Sequence, residues 1–471
     1  MTTQPVGRDA IQADARADAT SPAGHAGLAL AAVCLGFFMV LVDGSALNVA
    51  LPSIQHDIHG TIAALQWVVN IYTIPLASVL LTAGSLGDRW GSRRLFVASL
   101  SVFTFASLLC AISPNLGFLI AARALQGVAA GGMLPTTLAI IGYTYADPIE
   151  RVRAITVWGT VGALALLAGP LVGGAMTNAF GWRSIFLINL PVGVVTTYLA
   201  VRYVRERTTL LDRKFDPLGQ VTAIAALGAL VAGLIEGGSL GWTSPVTLGL
   251  LALGVLAAAA FIVTERRVEH PMLPLDVFRR SAFTAAVMNG FAFQFGGYGI
   301  QFVLAVYLQE RWHVSPLATG LLFLPFSAFW VLGTIVLARR LVHMGPRWLL
   351  RTGGLVSLVG SLALLGVTDG SSWPWLIAGT LLVGLGCGIF APSLNAAVLL
   401  AIEPRFAGLG SGILNAARQI GMAVGVALLG AFLVIRTANL GLRLDALLVA
   451  LCFVAIIVLS VRYVPVKEGA S

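Results

Sequence analysis

The sequence predicts an all-α polytopic membrane protein, and three observations carry that prediction. Only 10% of the 471 residues are charged while 58% are hydrophobic, whereas a soluble domain needs about 25% charge for its surface. Apolar runs close to the ~20 residues that cross roughly 30 Å of hydrocarbon recur along the chain. The runs are continuously apolar rather than alternating, which selects helices over barrel strands.

Fourteen runs follow one another in order. The first six are Leu28–Ala50, Ile62–Gly84, Leu95–Ile112, Leu116–Tyr143, Ala154–Ala175 and Ile185–Tyr203. Two more, Leu218–Ile235 and Pro245–Val263, lie between these and a last six: Ala282–Leu308, Ala318–Leu337, Leu349–Val367, Trp375–Leu400, Ser411–Val434 and Leu444–Val461. Met1–His25 is rich in Ala, Asp and Thr, with Arg8 and Arg16 offset by Asp9, Asp14 and Asp18, and reads as a disordered cytoplasmic tail rather than a signal peptide. The division is therefore a tail (1–25), a six-helix bundle (26–204), a linker with two inserted helices (205–281), a second bundle (282–462) and a cytoplasmic tail (463–471).

The net charge of +9 is explained by topology, not by nucleic acid. With the N-terminus inside, Arg183, Arg311, Arg436 and Arg443 are the basic residues left outside, and Arg123 and Arg418 fall within spans. The rest are cytoplasmic, the positive-inside bias of a multi-pass inner-membrane protein with both termini inside. The four cysteines, Cys34, Cys110, Cys387 and Cys452, all lie in spans without disulfide or zinc-ligand spacing, so they read as small core residues and no metal is expected.

Two halves resemble each other. Gly127-Val128-Ala129-Ala130-Gly131-Gly132-Met133-Leu134-Pro135-Thr136 is echoed by Gly384-Leu385-Gly386-Cys387-Gly388-Ile389-Phe390-Ala391-Pro392-Ser393. The stretch Asp88–Leu95 is echoed more weakly by Val342–Leu349, and Gly169 and Gly173 by Gly421 and Gly425. Three echoes in the same order argue for a duplicated six-helix unit, the architecture of carriers that rock two bundles around a central site.

Asp43 is the one carboxylate placed well within a run, where a charge costs a few kcal/mol and reads as functional by default. It lies seven residues before Ala50, and Arg123 lies seven after Leu116. At 1.5 Å per residue both sit about 10 Å below the outer surface, which makes them candidate partners. A proton carrier needs such a carboxylate, whose proton affinity swings with its surroundings; the competing reading is a fixed ion pair that only orients helices. Ser45 and Asn48 add polar groups nearby. Thr380 stands where the second half would repeat Arg123, confining the charge pair to the first half. Glu236 reads as interfacial, and Arg418 as snorkelling to cytoplasmic phosphates or serving an inner gate. Phe37, Phe38, Asn289, Phe291, Gln294, Phe295 and Tyr298 are candidates for an apolar cavity suited to amphipathic or cationic molecules, with lipid-facing packing the alternative.

Between the second and third runs stands Gly84-Ser85-Leu86-Gly87-Asp88-Arg89-Trp90-Gly91-Ser92-Arg93-Arg94. This spacing resembles the Gly-x-Leu-x-Asp-Arg-x-Gly-Arg-Arg signature of the major facilitator superfamily, with Ser92 where the family often carries Arg or Lys. The resemblance implies the major facilitator fold, two six-helix bundles plus two inserted helices. It also implies a cytoplasmic latch formed by Gly84, Gly87, Asp88, Arg89, Gly91, Arg93 and Arg94. Leu119–Gly127 is similar to the fourth-helix motif, whose arginine (here Arg123) is tied to proton transfer. Gly169-Pro170-Leu171-Val172-Gly173-Gly174 resembles the fifth-helix antiporter signature, with Gly169, Pro170, Gly173 and Gly174 as a side-chain-free groove facing the other half. Gly181–Pro191, Tyr307-Leu308-Gln309 and Ser315–Gly320 are similar to the fourteen-helix drug:proton antiporters of the EmrB/QacA type. That branch usually continues its aspartate with Thr-Ile-Val-Asn; here the run is Gly44-Ser45-Ala46-Leu47-Asn48.

The resemblance implies a proton-coupled antiporter that exports amphipathic or cationic small molecules by alternating access. The alternative within transport is an exporter dedicated to one metabolite. Its partners would be protons, a small-molecule substrate and lipid, and a monomer is compatible with the sequence. No cofactor is expected. An ATP-driven pump is disfavoured because the chain has no Gly-x-x-x-x-Gly-Lys-Ser/Thr loop. An enzyme would need clustered catalytic groups, and of the six histidines only His56 and His59 lie close together, beside Asp57, in what reads as a solvated outer loop.

Overall fold

The computed structural model describes residues 23–206, 216–268, 271–368, 372–403, 406–434 and 440–465. Most of both expected tails, linker residues 207–215, 269 and 270, and Arg436 lie outside the described residues. Within them the chain forms 14 helices long and apolar enough to cross a membrane. We label them α1 (Ala23–Ile58), α2 (Ile62–Trp90), α3 (Ser92–Ala111), α4 (Leu116–Thr144), α5 (Pro148–Phe180), α6 (Ser184–Tyr203) and α7 (Pro217–Leu240). There follow α8 (Pro245–Arg267), α9 (Ser281–Glu310), α10 (Pro316–Leu341), α11 (Pro346–Gly366), α12 (Trp373–Ala401), α13 (Ala407–Phe432) and α14 (Leu440–Tyr463). Fourteen crossings bring the chain back to the face where it began. That face is called here the termini face, and the opposite one the distal face.

Local chemistry sets the boundaries. Asp147, Asp216 and Ser315 each cap the helix that follows by accepting a backbone N–H three residues on, at 2.9, 2.8 and 3.3 Å, with proline in the first turn. The α2–α3 and α10–α11 turns are made by single glycines, Gly91 (φ 96°) and Gly345 (φ 83°), in a region that side chains avoid. Two of the boundaries that differ from expectation move charged residues. The α1 helix runs past Ala50 and Pro52 to Ile58, so His56 and Asp57 are helical rather than in a loop. The α14 helix begins at Leu440 instead of Leu444, which brings Asp445 inside the span, with 0% exposure. Asp43 is therefore not the only carboxylate well within a membrane helix.

The sequence repeat is a repeat of contacts. A Cβ added to Gly127 or Gly131 would meet the α2 backbone at Tyr72 or Leu76, and one added to Gly384 or Gly388 would meet the α10 backbone at Phe326 or Trp330. Gly169 and Gly173 lie against Ser45 and Ala46 of α1, as Gly421 and Gly425 lie against Phe291 and Phe295 of α9. Arg93 donates to the Val201 carbonyl of α6 at 2.5 Å, and Arg347 donates to the Val461 carbonyl of α14. Close backbone approach through small residues is how helices associate where lipid removes the hydrophobic drive between them.

The halves meet near the distal face. Gln66 of α2 donates to the Val426 and Ala427 carbonyls of α13 at 3.0 and 2.6 Å. Gln309 of α9 donates to the Val49 carbonyl of α1 at 2.8 Å. A Cβ at Gly174 of α5 would fall 2.6 Å from the Pro316 oxygen of α10, and Gly320 packs on the Pro170 carbonyl in return. Toward the termini face, a Cβ at Gly84 of α2 or at Gly408 and Gly412 of α13 would meet no atom within 4 Å. The hydrogen bonds and glycine crossings between the two bundles named here therefore lie toward the distal face. The insert sits on this seam: Leu227, Val231 and Ile235 of α7 join Ile74 and Ala77 of α2 and Ala423 and Ala427 of α13 in one cluster, while α8 packs on α7.

One expectation for the fifth helix needs correction. Gly169 and Gly173 do not face the other half; they seat α5 on α1 of the same half, and the groove toward α10 is made by Pro170 and Gly174. The reason is helical spacing: residues four apart share a face, and Gly174 is turned about 100° from Gly173. Gly173→Leu, forced against the Ala46 backbone, should therefore lower the melting temperature and yield of the purified protein, overpacking of this kind costing about 1–3 kcal/mol or more. Gly174→Leu should leave melting near wild type but lengthen the distance between spin labels at Phe180 and Leu321. Equal loss of folded protein in both variants would contradict this division.

Candidate functional site

The polar centre of the first half is built on Asp43. Its Oδ2 accepts from Arg123 Nη1 at 2.5 Å, and its Oδ1 accepts from Gln126 Nε2 at 3.0 Å and Asn189 Nδ2 at 3.1 Å. Arg123 also donates to Gln126 Oε1 at 2.7 Å and, through Nε, to the Val68 carbonyl at 3.3 Å. Ser107 Oγ accepts from Gln126 at 2.9 Å and from Asn189 at 3.3 Å. The guanidinium carbon lies 4.1 Å from the ring centroid of Tyr72. Helices α1, α2, α3, α4 and α6 each contribute a group, and Asp43, Arg123, Gln126, Asn189 and Ser107 are at most 3% exposed. A carboxylate and a guanidinium this deep are tolerable only because each is paired and further hydrogen-bonded.

The equal depth expected of Asp43 and Arg123 thus corresponds to direct contact. Ser45 and Asn48 do not join them. Two residues along a helix is a turn of about 200°, so Ser45 faces Gly169 of α5 and donates to the Leu41 carbonyl at 2.8 Å. Asn48 is 3% exposed, and its Oδ1 meets no donor. Gln126 and Asn189 lie within the Leu119–Gly127 and Gly181–Pro191 stretches, whose resemblance assigns them no role. Gln126 could have been found, since it lies three residues after Arg123 and so on its face. Nothing in the sequence singles out Ser107.

The Gly84–Arg94 segment is almost wholly helical, bent at Gly91. The Glu206 carboxylate, just past α6, accepts the backbone N–H groups of Arg93 and Arg94 at 3.3 and 3.1 Å and lies 3.8 Å from Arg94 Nε. This acid at the N-terminus of α3 complements its free amides, and a Cβ on Gly91 would collide with it. Gly87 faces Ser92, Leu95 and Thr136, Gly84 faces open space, and Arg89 is exposed. Arg93 and Arg94 are therefore tied to α6 of their own half. On the distal face, Asp57 accepts from Arg183 at 2.6 Å and from the Trp182 indole at 2.9 Å. It clamps the end of α1 to the α5–α6 turn and is no mere solvated neighbour of two histidines.

The candidate cavity residues divide. Phe37 stacks on Trp158 with ring centroids 4.0 Å apart, and Phe37, Phe38, Phe291 and Tyr298 are half-buried. Asn289 is fully buried, donating to Ser460 of α14 at 3.0 Å; Gln294 and Phe295 are buried as well. Arg418 does not snorkel. Its guanidinium lies 5.1 Å from the ring centroid of fully buried Phe293, and its Cγ lies beside Gly290 of α9, turned into the second half. Thr380, in Arg123's place, spends its hydroxyl on the Leu376 carbonyl at 2.8 Å.

Residues 33–426 and 282–471 match the Major Facilitator Superfamily. The chain is 36% identical over 408 residues to the methylenomycin A resistance protein of Streptomyces coelicolor, covering 86% of each. It is 34% identical over 406 residues to the multidrug resistance protein Stp of Mycobacterium tuberculosis, covering 86% of this chain and 75% of that one. It is also 34% identical over 397 residues to the puromycin resistance protein pur8 of Streptomyces alboniger, covering 83% and 78%. Among solved structures, a peptide transporter POT in complex with sulfate superposes with a TM-score of 0.68 at 18% identity, over 92% of this chain and 93% of that one. The human organic anion transporter MFSD10 gives 0.64 at 16%, over 93% and 100%. With its duplicated bundles, its two inserted helices and these matches, the chain belongs to the major facilitator superfamily of membrane transporters, which are not enzymes.

Proposed function

We propose that this protein is a proton-driven antiporter that exports amphipathic or cationic small molecules, antibiotics among them, across the cytoplasmic membrane. The relatives named for drug and antibiotic resistance support export. The observation that carries proton coupling is the Asp43 cluster, in which one buried carboxylate collects a guanidinium and two amides. With the positive-inside assignment the termini face is cytoplasmic, and the conformation described is inward-facing.

The mechanism follows from that geometry. With Asp43 ionised, Arg123 is held between Asp43, Gln126 and the Val68 carbonyl. A proton taken up by Asp43 cancels the attraction and leaves Arg123 a buried cation over Tyr72, so the guanidinium and the helices carrying its partners must rearrange. Asp43 and Val49 share α1, and Val49 receives the Gln309 donor from the other half. Protonation is thereby linked mechanically to distal closure, and a ligand shifts a two-state equilibrium only by binding one state better. A cationic substrate would compete with the proton for the same carboxylate. No ATP or other cofactor enters this cycle.

Asp43→Asn keeps size and hydrogen bonding but removes the titratable group. Efflux against a gradient should fall to background in inverted vesicles while substrate binding persists; wild-type accumulation by the variant would refute the coupling role. Arg123→Lys keeps the charge but loses the planar fork that reaches several acceptors at once. Coupled efflux should drop at least about tenfold, a loss on the order of 1.4 kcal/mol in the limiting step, with folded protein unchanged. Equal efflux in the two proteins would sink the requirement for that fork. The breadth of substrate is read by a drug-susceptibility and dye-efflux panel with and without a protonophore. Protonophore-sensitive resistance to several unrelated cations supports a multidrug exporter. Resistance to a single compound favours a dedicated one, the reading to which the methylenomycin and puromycin relatives lend weight.

A further inference from the structure

The second half contains a carboxylate that the Asp43 mechanism leaves unused. Asp445 lies in α14, five residues below its distal start, and is 0% exposed. Among the described residues, neither of its oxygens meets a donor. This is the opposite of Asp43, whose two oxygens collect three donors. A buried carboxylate without a partner carries the full cost of desolvation, whereas a neutral carboxylic acid carries a small part of it.

The surroundings place this group beside a route to the distal side. Gly441 and Leu442, four and three residues earlier and so on the same face of α14, line a recess of about 150 Å³ together with Gln55 and Ile62 of the first half and Glu310 and Arg311 at the end of α9. Asp445 is one helical turn deeper, about 5 Å along the axis. The antiparallel register of α14 on α9, with Ser460 on Asn289 and Val449 and Phe453 on Gly296, sets Asp445 level with the apolar stretch around Ile300–Leu304. Among the described residues, the charged groups on the distal halves of the elements packed against α14 are Glu310 and Arg311, and the titratable tyrosines there are Tyr307 and Tyr298, the latter edge-on to Trp330 of α10. The distal half of α11 carries none, Arg418 of α13 lies toward the opposite face, and Arg443 on α14 itself is exposed.

We propose that Asp445 is a second proton-binding site, which takes its proton from distal-side water through this recess and must be neutral for the halves to close distally. The step is a simple transfer: the open form's Asp445 carboxylate takes a proton from hydronium, releasing water, and the resulting acid is then buried. Because the recess is walled by both halves, their separation hydrates Asp445 and lets the proton leave. The closed state binds the proton and the open state releases it, so acidifying the distal side favours closure and raising its pH favours opening. This proton gates the transition and is distinct from the one exchanged at Asp43. The proposal rests on the alternating-access reading above, but not on Asp43 being the coupling carboxylate.

The test uses full-length protein in liposomes, spin-labelled at Phe180 on α5 and Leu321 on α10, with the distance distribution recorded against pH. To silence Asp43, it is made in the Asp43→Asn background. The long-distance population should grow as pH rises, and adding Asp445→Asn should remove that dependence and leave the closed form dominant, whereas Asp445→Glu should retain it. In parallel, infrared spectra of the unlabelled protein at neutral pH should contain a carboxylic-acid carbonyl band that is lost in Asp445→Asn. That reading does not depend on transport and remains decisive if a spin-labelled variant folds poorly. An unchanged pH response on adding Asp445→Asn, or no acid band lost with it, overturns the proposal whether or not Asp43 drives export.

Discussion

The burial of Arg123 organises the first half. A guanidinium at 1% exposure among apolar helices is stable only if its charge and donors are met. The structure meets them from several helices, with a carboxylate from α1, a carbonyl from α2 and an amide from α4 itself. Removing one partner of such a pair typically costs about 3–5 kcal/mol, because the other is left buried and charged. The packing angle of α1 on α4 and the position of α6, which supplies Asn189, are therefore tied to the state of one ion pair. A site whose stability depends on a single charge is also a site that one proton can disrupt.

The second half repeats the scaffold without the Asp43–Arg123 pair. Glycines at equivalent places bring α12 onto α10 and α13 onto α9 as closely as α4 onto α2 and α5 onto α1. Where the first half is filled by a polar cluster, the second is filled by rings: Phe293 lies 5.2 Å from Trp330 and 5.1 Å from Phe390. Duplication thus supplied two bundles of the same shape, and substitution filled the centre of one with a hydrogen-bonded ion pair and the centre of the other with packed rings.

Closure at the distal face depends on different interactions. Buried Gln66 and half-buried Gln309 donate to carbonyls of the opposite half, and the α5–α10 crossing is tight because Gly174 and Gly320 lack side chains. Beside them, the seam is filled by apolar packing of α13 on α2 and of α10 on α5. The insert covers part of this seam, α7 spanning α2 and α13 at once. α8 packs on α7 at this place.

The sequence by itself determined the class, the count of crossings and the duplication, because these are written in quantities that accumulate along the chain: hydrophobic run length, the distribution of arginine and the recurrence of glycine at fixed offsets. It also marked Asp43 and Arg123, since a charge within an apolar run is conspicuous without any fold. Helix ends and facing directions were less legible. A hydrophobic run that starts at Leu444 leaves Asp445 at its edge, whereas the helix begins a turn earlier at Leu440. Ser45 was grouped with Asp43 by proximity along the chain, although helical rotation sends it to α5. Gln126, Asn189 and Ser107 acquired their meaning only when α3, α4 and α6 were brought around α1. Likewise Gly173 and Gly174, adjacent and chemically identical, serve different interfaces, one within a half and one between halves. Composition and periodicity act along one dimension and can be read there; which face of a helix meets which neighbour is decided by packing among fourteen helices, and that information exists only in the tertiary structure.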